Sequence, residues 1–298
     1  MKNFTVVVLT YQTPKNIILD CLSSIDKDIK VLIVENSEIF NHKDAISSKF
    51  TNVEILCTGK NLGYGGGNNF GIEATKTDYI LILNPDVICS KDLFSNIKDV
   101  IKENRDFSII GCQYLHDEIF MPAGFFDKEK NKKFTESFRK DKINELTEVD
   151  WVTGCSMLLN IKKFDNKKIF DENFFLYFEE FDLCKSLKDK GEKIYSSKKL
   201  KIHHLGFKSS FDENSSFKKS INRIREWHWM WSSFYFYKKN FSFLYAINKM
   251  IGKLITAGFK TLFYSLTFNE EEKEKYKYRF LGIYSSMLNK PSSFRDNI

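Results

Sequence analysis

An α/β fold with a mixed, mostly parallel sheet flanked by helices, followed by a C-terminal helical subdomain, is the architecture this sequence predicts. Three observations carry the prediction. Apolar runs at 4–10, 30–34 and 79–83 alternate with stretches of helical periodicity, as in a doubly wound sheet. These runs stop at polar or acidic residues, namely Thr10-Tyr11, Glu35-Asn36-Ser37 and Asn84-Pro85-Asp86. In open α/β sheets that strand edge is where ligands bind. After residue 217 the composition changes to aromatics at helical spacing with interleaved lysines.

The elements follow in chain order. Residues 4–10 are β-rich and apolar, as expected of a buried parallel strand. Ile17, Ile18, Cys21, Leu22 and Ile25 mark an amphipathic helix over 15–26. A strand at 30–34, a helix around 42–49 and a strand at 53–56 come next. The run from Asn61 to Ile72 is glycine-rich, which lets backbone approach a ligand or take positive φ. A helix over 67–76 would aim its first amides at that ligand, a natural seat for phosphate. The run matches neither GxGxxG nor GxxxxGK[ST], and a purely structural use of its glycines is equally open. A strand at 79–83, a helix at 91–103 and a strand at 107–113 follow, and the charged stretch 127–148 reads as a solvated loop or flap. Trp151 to Leu159 reads as one strand, with Gly154 allowing close approach. A helix after Phe178 with Leu183, Leu187 and Gly191 suits a glycine C-cap, and 200–204 is a last short strand.

The 298 residues suffice for one large domain or a domain with an appendage. We divide them into a domain over 1–216, with halves 1–110 and 111–216, and a helical region over 217–298. The net charge of +7 favours anionic partners, although lysines spread along the whole chain also suit an ordinary solvated surface. The six cysteines lack CxxC or zinc spacing and read as reduced, mostly buried thiols of a cytosolic protein. The first apolar run is too short for a signal peptide, and no long uncharged apolar run predicts a transmembrane helix. Trp227, Met230, Trp231, Phe234 and Tyr237 fit a helix packing on the core or on a second subunit; with Lys238, Lys239, Lys249, Lys253 and Lys260 interleaved, an interfacial helix pair at lipid headgroups is the alternative.

Acidic residues at strand edges are the candidates for chemistry. Alone, Asp86 could simply start a turn or cap the next helix. Glu179 and Asp182 share a face if helical, while Glu180 points elsewhere. The ordered set comprises Thr10-Tyr11, Val34-Glu35-Asn36-Ser37, the NLGYGGGNNFGI loop, LNPDV at 83–87, WVTGC at 151–155, FDENFFLYFEEFDLC at 170–184, and His204 with Gly206 and Ser209. With that order the chain resembles the GT-A fold inverting glycosyltransferases of family 2, most nearly the bacterial rhamnosyltransferase-like branch.

The resemblance implies a Rossmann-like GT-A catalytic domain and a role for each motif. Thr10 and Tyr11 would border the nucleotide. Glu35 stands where the family usually has an Asp that binds the uracil or thymine base, and Asn36 and Ser37 complete that edge. Asn61, Gly63 and Asn69 would line the nucleoside and diphosphate, with Gly154 close by. Asp86 matches the last carboxylate of the DxD motif and would bind Mg2+ or Mn2+; Asn84 replaces the first Asp. His204, better placed than His203, would be a second metal ligand. Glu180 falls on the catalytic-base position, usually Asp, with Glu179 and Asp182 completing the motif. The implied partners are a nucleotide-diphosphate sugar and a glycan or polyprenyl-linked glycan acceptor. The implied place is the cytoplasm, with peripheral contact at the inner face of the membrane or a homodimer as open options.

The implied reaction is transfer of a sugar to a hydroxyl of a bacterial surface glycan, with rhamnose from dTDP-rhamnose favoured and UDP-hexose or galactofuranose as alternatives. A non-catalytic membrane-surface or scaffold relative is the reading of another class, and the intact acidic motifs argue against it. A nucleic-acid binder would need basic residues clustered with exposed aromatics, which the spread of lysines does not supply.

Overall fold

The computed structural model describes residues 3–115, 121–206 and 218–295. The chain divides into two compact units. The first holds Met1–Leu62, Gly66–Phe170 and Leu183–Asp212, and the second holds Gly63–Gly65, Asp171–Asp182 and Glu213–Ile298.

In chain order the elements up to the middle of the sheet are β1 (Phe4–Thr10), α1 (Lys15–Ser23), β2 (Lys30–Glu35), α2 (Lys43–Ser47), β3 (Val53–Cys57), α3 (Gly63–Ala74), β4 (Tyr79–Leu83), β5 (Val87–Cys89), α4 (Leu93–Glu103) and β6 (Ile109–Tyr114). Then come β7 (Ala123–Gly124), α5 (Lys128–Arg139), β8 (Leu146–Val149), β9 (Trp151–Val152), β10 (Ser156–Asn160), α6 (Glu179–Asp189) and β11 (Ile194–His204). Helices α7 (Lys218–Asn240), α8 (Phe243–Leu266) and α9 (Glu270–Met287) close the chain.

The main sheet runs β3-β2-β1-β4-β10-β6-β11-β5, with β8 also paired to β11. Its first four strands are all parallel, and β10 lies antiparallel between β4 and β6. Strand β1 is buried along its whole length, as a central strand covered on both faces must be. Ile18, Cys21 and Leu22 of α1 join Phe94, Ile97 and Val100 of α4 in one core with Val6 and Val8. The register sets Thr10 opposite Glu35 and His204 opposite Val87, so polar groups from distant segments meet at strand ends. The mixed α/β class with C-terminal helices is as expected.

Several local expectations change. The stretch 127–148 is not a loop: it forms α5 and β8. Asp127 caps α5 by accepting from the Lys130 amide at 2.8 Å, and Phe134 buries itself edge-on against Phe125 at 5.6 Å. The stretch 151–159 is two strands, because β9 pairs with β7 while β10 joins the main sheet, with residues 153–155 turning between them. Helix α3 starts at Gly63 rather than 67. Its glycines are used for packing: a Cβ on Gly67 would lie 2.5 Å from Leu9 Cδ1, and one on Gly71 would lie 2.7 Å from Val7 Cγ1 and 2.8 Å from Val34 Cγ2. Their bareness lets α3 lie directly on β1 and β2. The last strand is longer than expected and is bulged between Ser197 and Lys201. Gly191 takes φ +77° after α6, as a C-cap glycine should.

In the second unit α7, α8 and α9 enclose a core of Met230, Phe234, Ala246, Met250 and Ile283. A Cβ on Gly282 would sit 2.3 Å from the Trp227 carbonyl oxygen, so α9 crosses α7 in backbone contact. The charge run from Glu270 to Lys277 forms the first two turns of α9. Segment Asp171–Asp182 lies along α7: Ser232 Oγ donates to the Leu176 carbonyl at 2.8 Å, and Phe174 meets Tyr235 edge-on at 4.9 Å. Among the described residues no helix is long and apolar enough to cross a membrane. Among the described residues none of the six cysteines is in a disulfide, and five of them are buried.

Candidate active site

The polar groups of the first unit gather at the ends of β1, β2, β4 and β11. Thr10 Oγ1 donates to Glu35 Oε2 at 2.6 Å, and Ser37 Oγ donates to Glu35 Oε1 at 2.6 Å. Burial pushes the Glu35 carboxyl up, and these hydroxyls with the Gln12 amide oppose the rise. Asn36 links two loops: its Nδ2 donates to Asn61 Oδ1 at 3.1 Å, and its Oδ1 accepts from the Leu62 amide at 2.9 Å. Tyr11 follows on the turn, where its amide donates to Thr13 Oγ1 at 3.3 Å.

Asn84 and Asp86 leave β4 together. The Asn84 amide donates to the Cys155 carbonyl at 2.9 Å, and its carbonyl accepts from the Val87 amide at 3.2 Å, so the Asn-Pro-Asp turn is held from both sides. Half-buried Gly154 sits in the adjoining turn. Asp86 is 1% exposed. Its Oδ1 lies 3.4 Å from His204 Nε2, and its carbonyl accepts from the Leu205 amide at 2.9 Å. His204 Nδ1 is buried without a hydrogen-bond partner among the described residues. A buried carboxylate oxygen beside an imidazole nitrogen is a donor set that suits Mn2+, and Mg2+ through the oxygen. A spacing of 3.4 Å lies within reach of one cation with bonds of about 2.1 Å. Among the described residues no third His, Cys, Asp or Glu joins them. Ser209 of the sequence motif lies outside the described residues.

Asn69, expected at the nucleoside, is bonded to the backbone of Phe170. Its Nδ2 donates to the Phe170 carbonyl at 2.9 Å and its Oδ1 accepts from the Phe170 amide at 3.0 Å, a reciprocal clamp on that backbone. Gly63, also expected near the nucleoside, takes φ +79°, and a Cβ there would meet the Phe175 carbonyl oxygen at 2.3 Å. The neighbouring Tyr64 amide donates to that same carbonyl at 2.9 Å. One first-turn amide of α3 is thereby taken by protein.

The second unit carries the acidic motif on the first turn of α6. Tyr177 and Phe178 precede it with φ of 68° and 70°. Two consecutive non-glycine residues in the left-handed region cost roughly 1–2 kcal/mol each and persist only where the surroundings hold them. The hold is aromatic: Trp229 meets Tyr177 at 5.2 Å and Phe178 at 5.3 Å, and Phe236 meets Phe178 at 5.5 Å. No sequence signal announces this strain.

Glu179 and Asp182 are buried, and Glu180 is half-buried on another face, as the i, i+3 argument expects. Burial pushes Glu179 well up, and the Glu180 charge adds to the rise. Burial pushes Glu180 up to about 7, against the pull of its own amide and that of Phe181. Asp182 does not join this pair. Its Oδ2 accepts from Lys239 Nζ at 2.6 Å and its Oδ1 from Asn240 Nδ2 at 2.8 Å, while Lys239 also reaches Asp171 Oδ2 at 2.7 Å. In the sequence Lys239 reads as one of the lysines interleaved with the aromatics, and Asn240 carries no signal; the structure turns Lys239 onto Asp182 and Asp171.

The glycosyl transferase family 2 model matches residues 5–165, more than half of the 298. The chain is 26% identical to rhamnosyltransferase WbbL of Escherichia coli over 71% of this chain and 83% of that protein. It is 24% identical to a low-salt glycan biosynthesis hexosyltransferase of Haloferax volcanii, over 76% of this chain and 80% of that one. It is 23% identical to an N-acetylglucosaminyl-diphospho-decaprenol L-rhamnosyltransferase of Mycobacterium tuberculosis, over 64% and 71% respectively. A crystal structure of GalNAc-T7 with UDP, GalNAc and Mn2+ superposes with a TM-score of 0.53 at 12% identity, covering 79% of this chain and 50% of that one. That likeness is one of fold and reaches about half the length of the solved chain. With strand order, acidic strand ends and motif order in agreement, the chain belongs to glycosyl transferase family 2 and is rhamnosyltransferase-like within it.

Proposed function

We propose that this transferase moves a sugar from a nucleotide-diphosphate donor to an acceptor hydroxyl with inversion at C1. The observation that carries the proposal is the buried Asp86 carboxylate, 3.4 Å from His204, at the end of a central parallel strand. Asp86 and His204 would hold the divalent cation, which when bound neutralises charge on the diphosphate leaving group. Thr10, Tyr11, Glu35, Asn36, Asn61, Asn84 and Gly154 form the nucleotide side in this reading. Glu35 keeps acceptor capacity for a base N–H, since an ionised carboxylate offers about four lone-pair sites. The donor side lies mainly in 1–110, joined by Gly154 and His204, and the acceptor side in the rest of 111–216.

Glu180 is the general base in this proposal. It takes the proton of the acceptor hydroxyl as that oxygen bonds to C1. The C1–O bond to the diphosphate breaks, and its electron pair leaves with the phosphate oxygen. A base near neutral pKa is well matched to this task, and a positioned base contributes typically ~10²–10⁴-fold. Asp182, held by Lys239 and Asn240, orients the turn that presents Glu180 rather than touching substrate.

The favoured donor is dTDP-rhamnose, supported by the likeness to two rhamnosyltransferases, and the favoured acceptor is a polyprenyl-diphosphate-linked glycan, in keeping with the mycobacterial relative's name. A UDP-linked hexose is the second reading, favoured by the likeness to the Haloferax hexosyltransferase. A thermal-shift screen of dTDP, UDP and GDP and their sugars, with and without Mn2+, tests both. A ligand at a hundred times its Kd adds about 2.7 kcal/mol of stability. The favoured reading expects the largest shift from dTDP-rhamnose with Mn2+, and loss of the Mn2+ increment in Asp86→Ala. No shift from any nucleotide would overturn it.

A further inference from the structure

The outward face of α8 is apolar and uncovered within the second unit. Leu244, Ile251, Ile255, Phe259, Leu262 and Leu266 are all exposed, Phe259 and Leu266 by 76% and 79%. At about 100° per residue these six fall within an arc of about 80°, a stripe interrupted by the exposed Asn248. The opposite side of α8 supplies Ala246, Met250 and Ala257 to the packed interior. The stripe is therefore additional to the face that folding needs. A helix of 24 residues is about 36 Å long, so this is a long apolar surface to leave in water.

We propose that this stripe is a docking face that seats α8 in the plane of an anionic lipid surface. Charge complementarity selects that occupant. Helix α8 carries Lys249, Lys253 and Lys260 and no Asp or Glu. The three lysines lie on one flank, between the stripe and the buried side. None of them forms an ion pair among the described residues: Lys249 rests over the Tyr245 ring at 5.2 Å, and Lys260 donates to the Tyr276 hydroxyl at 2.8 Å. A lysine flank beside an apolar face is the arrangement in which stems lie along acyl chains and ammonium heads reach phosphates. A second copy of the chain suits the face less well. In an antiparallel pair about a two-fold axis the two lysine flanks fall on the same side, which would set lysines against lysines. Of the glutamates that follow α8, Glu270, Glu272 and Glu274 are paired with Lys273, Lys275 and Arg223.

The inference stands apart from the transfer reaction, and its test needs neither donor nor acceptor. The full chain is sedimented with phosphatidylcholine vesicles, with and without phosphatidylglycerol, at low and high salt. The double variant Phe259→Asp/Leu262→Asp is run alongside, its fold checked by circular dichroism. The expected result is binding to the anionic vesicles, weaker by about tenfold or more on neutral vesicles or at high salt, as three surface lysines require. The double variant is expected to lose binding by about tenfold or more, because both altered side chains are exposed and would enter the lipid. A wild-type chain that stays in the supernatant with anionic vesicles overturns the proposal, as does a variant that binds equally well. So does a wild-type dimer that the variant dissociates while neither form binds vesicles, which would give the face to a second copy.

Discussion

Lys239→Met perturbs the charge cluster behind the candidate base and leaves substrate-facing groups alone. Lys239 Nζ lies 2.6 Å from Asp182 Oδ2 and 2.7 Å from Asp171 Oδ2. Its removal leaves two carboxylates near one another with one charge fewer to hold them. Breaking a buried pair typically costs 3–5 kcal/mol, but the Lys239 side chain is 37% exposed, and screening reduces the expected loss to about 1.5–3 kcal/mol. The loss should depend on pH. Burial raises the Asp182 carboxyl, so its contribution to stability is present in acid and lost as pH rises through its folded value. Burial opposes ionisation of Asp171 too, but Lys239 and Asn173 outweigh it and hold that carboxyl low. Its contribution is present above the ordinary carboxylate range and lost as pH falls through the folded value. Without Lys239 both groups favour protonation, so the deficit should be largest near neutral pH and shrink toward pH 4. Urea unfolding of wild type and variant at a series of pH values measures it. A deficit below about 0.5 kcal/mol, the usual effect of a surface change, or one that is flat with pH would refute the reasoning.

Four further expectations concern the site. Gly63→Ala should cost about 1–2 kcal/mol for its left-handed backbone and more for the encounter with the Phe175 carbonyl, and should lower turnover because that segment leads into the base; wild-type stability and turnover would contradict this. The pH profile of kcat should rise through about 7, where Glu180 ionises, and level off above it. The same group favours the folded state when protonated, so its share of stability is lost as pH rises through about 7; melting curves across that range check the sign. Asn69→Ala should destabilise by about 1–3 kcal/mol, since it leaves a buried backbone N–H and C=O of Phe170 without this clamp, while nucleotide binding changes little; a selective loss of nucleotide affinity would return Asn69 to the donor side.

Much of this fold is legible because its physics is local. Strands β1, β2 and β4 are apolar runs that end in polar residues, and burial on both faces demands just that pattern. The meeting of Asp86 with His204 is not local, and only motif order hinted at it. Helix α5 was hidden by its lysines and glutamates, since its apolar face amounts to Phe134 with Phe138 against it. The glycines of α3 illustrate a different limit. Their spacing permits either ligand approach or close packing, and only the positions of Leu9, Val7 and Val34 decide for packing at Gly67 and Gly71. The bonds from Lys239 to Asp182 and from Asn69 to Phe170 join residues 57 and 101 positions apart, beyond the reach of any periodicity.

The proposed division of labour, Asp86 on the leaving group and Glu180 on the acceptor, rests on Glu180 being the base. Steady-state transfer by Glu180→Gln, with the donor that gives the largest thermal shift, tests it most directly. The account predicts kcat lower by about 10²–10⁴-fold with the nucleotide-induced thermal shift unchanged. Wild-type kcat in Glu180→Gln, with the donor still bound, would contradict it.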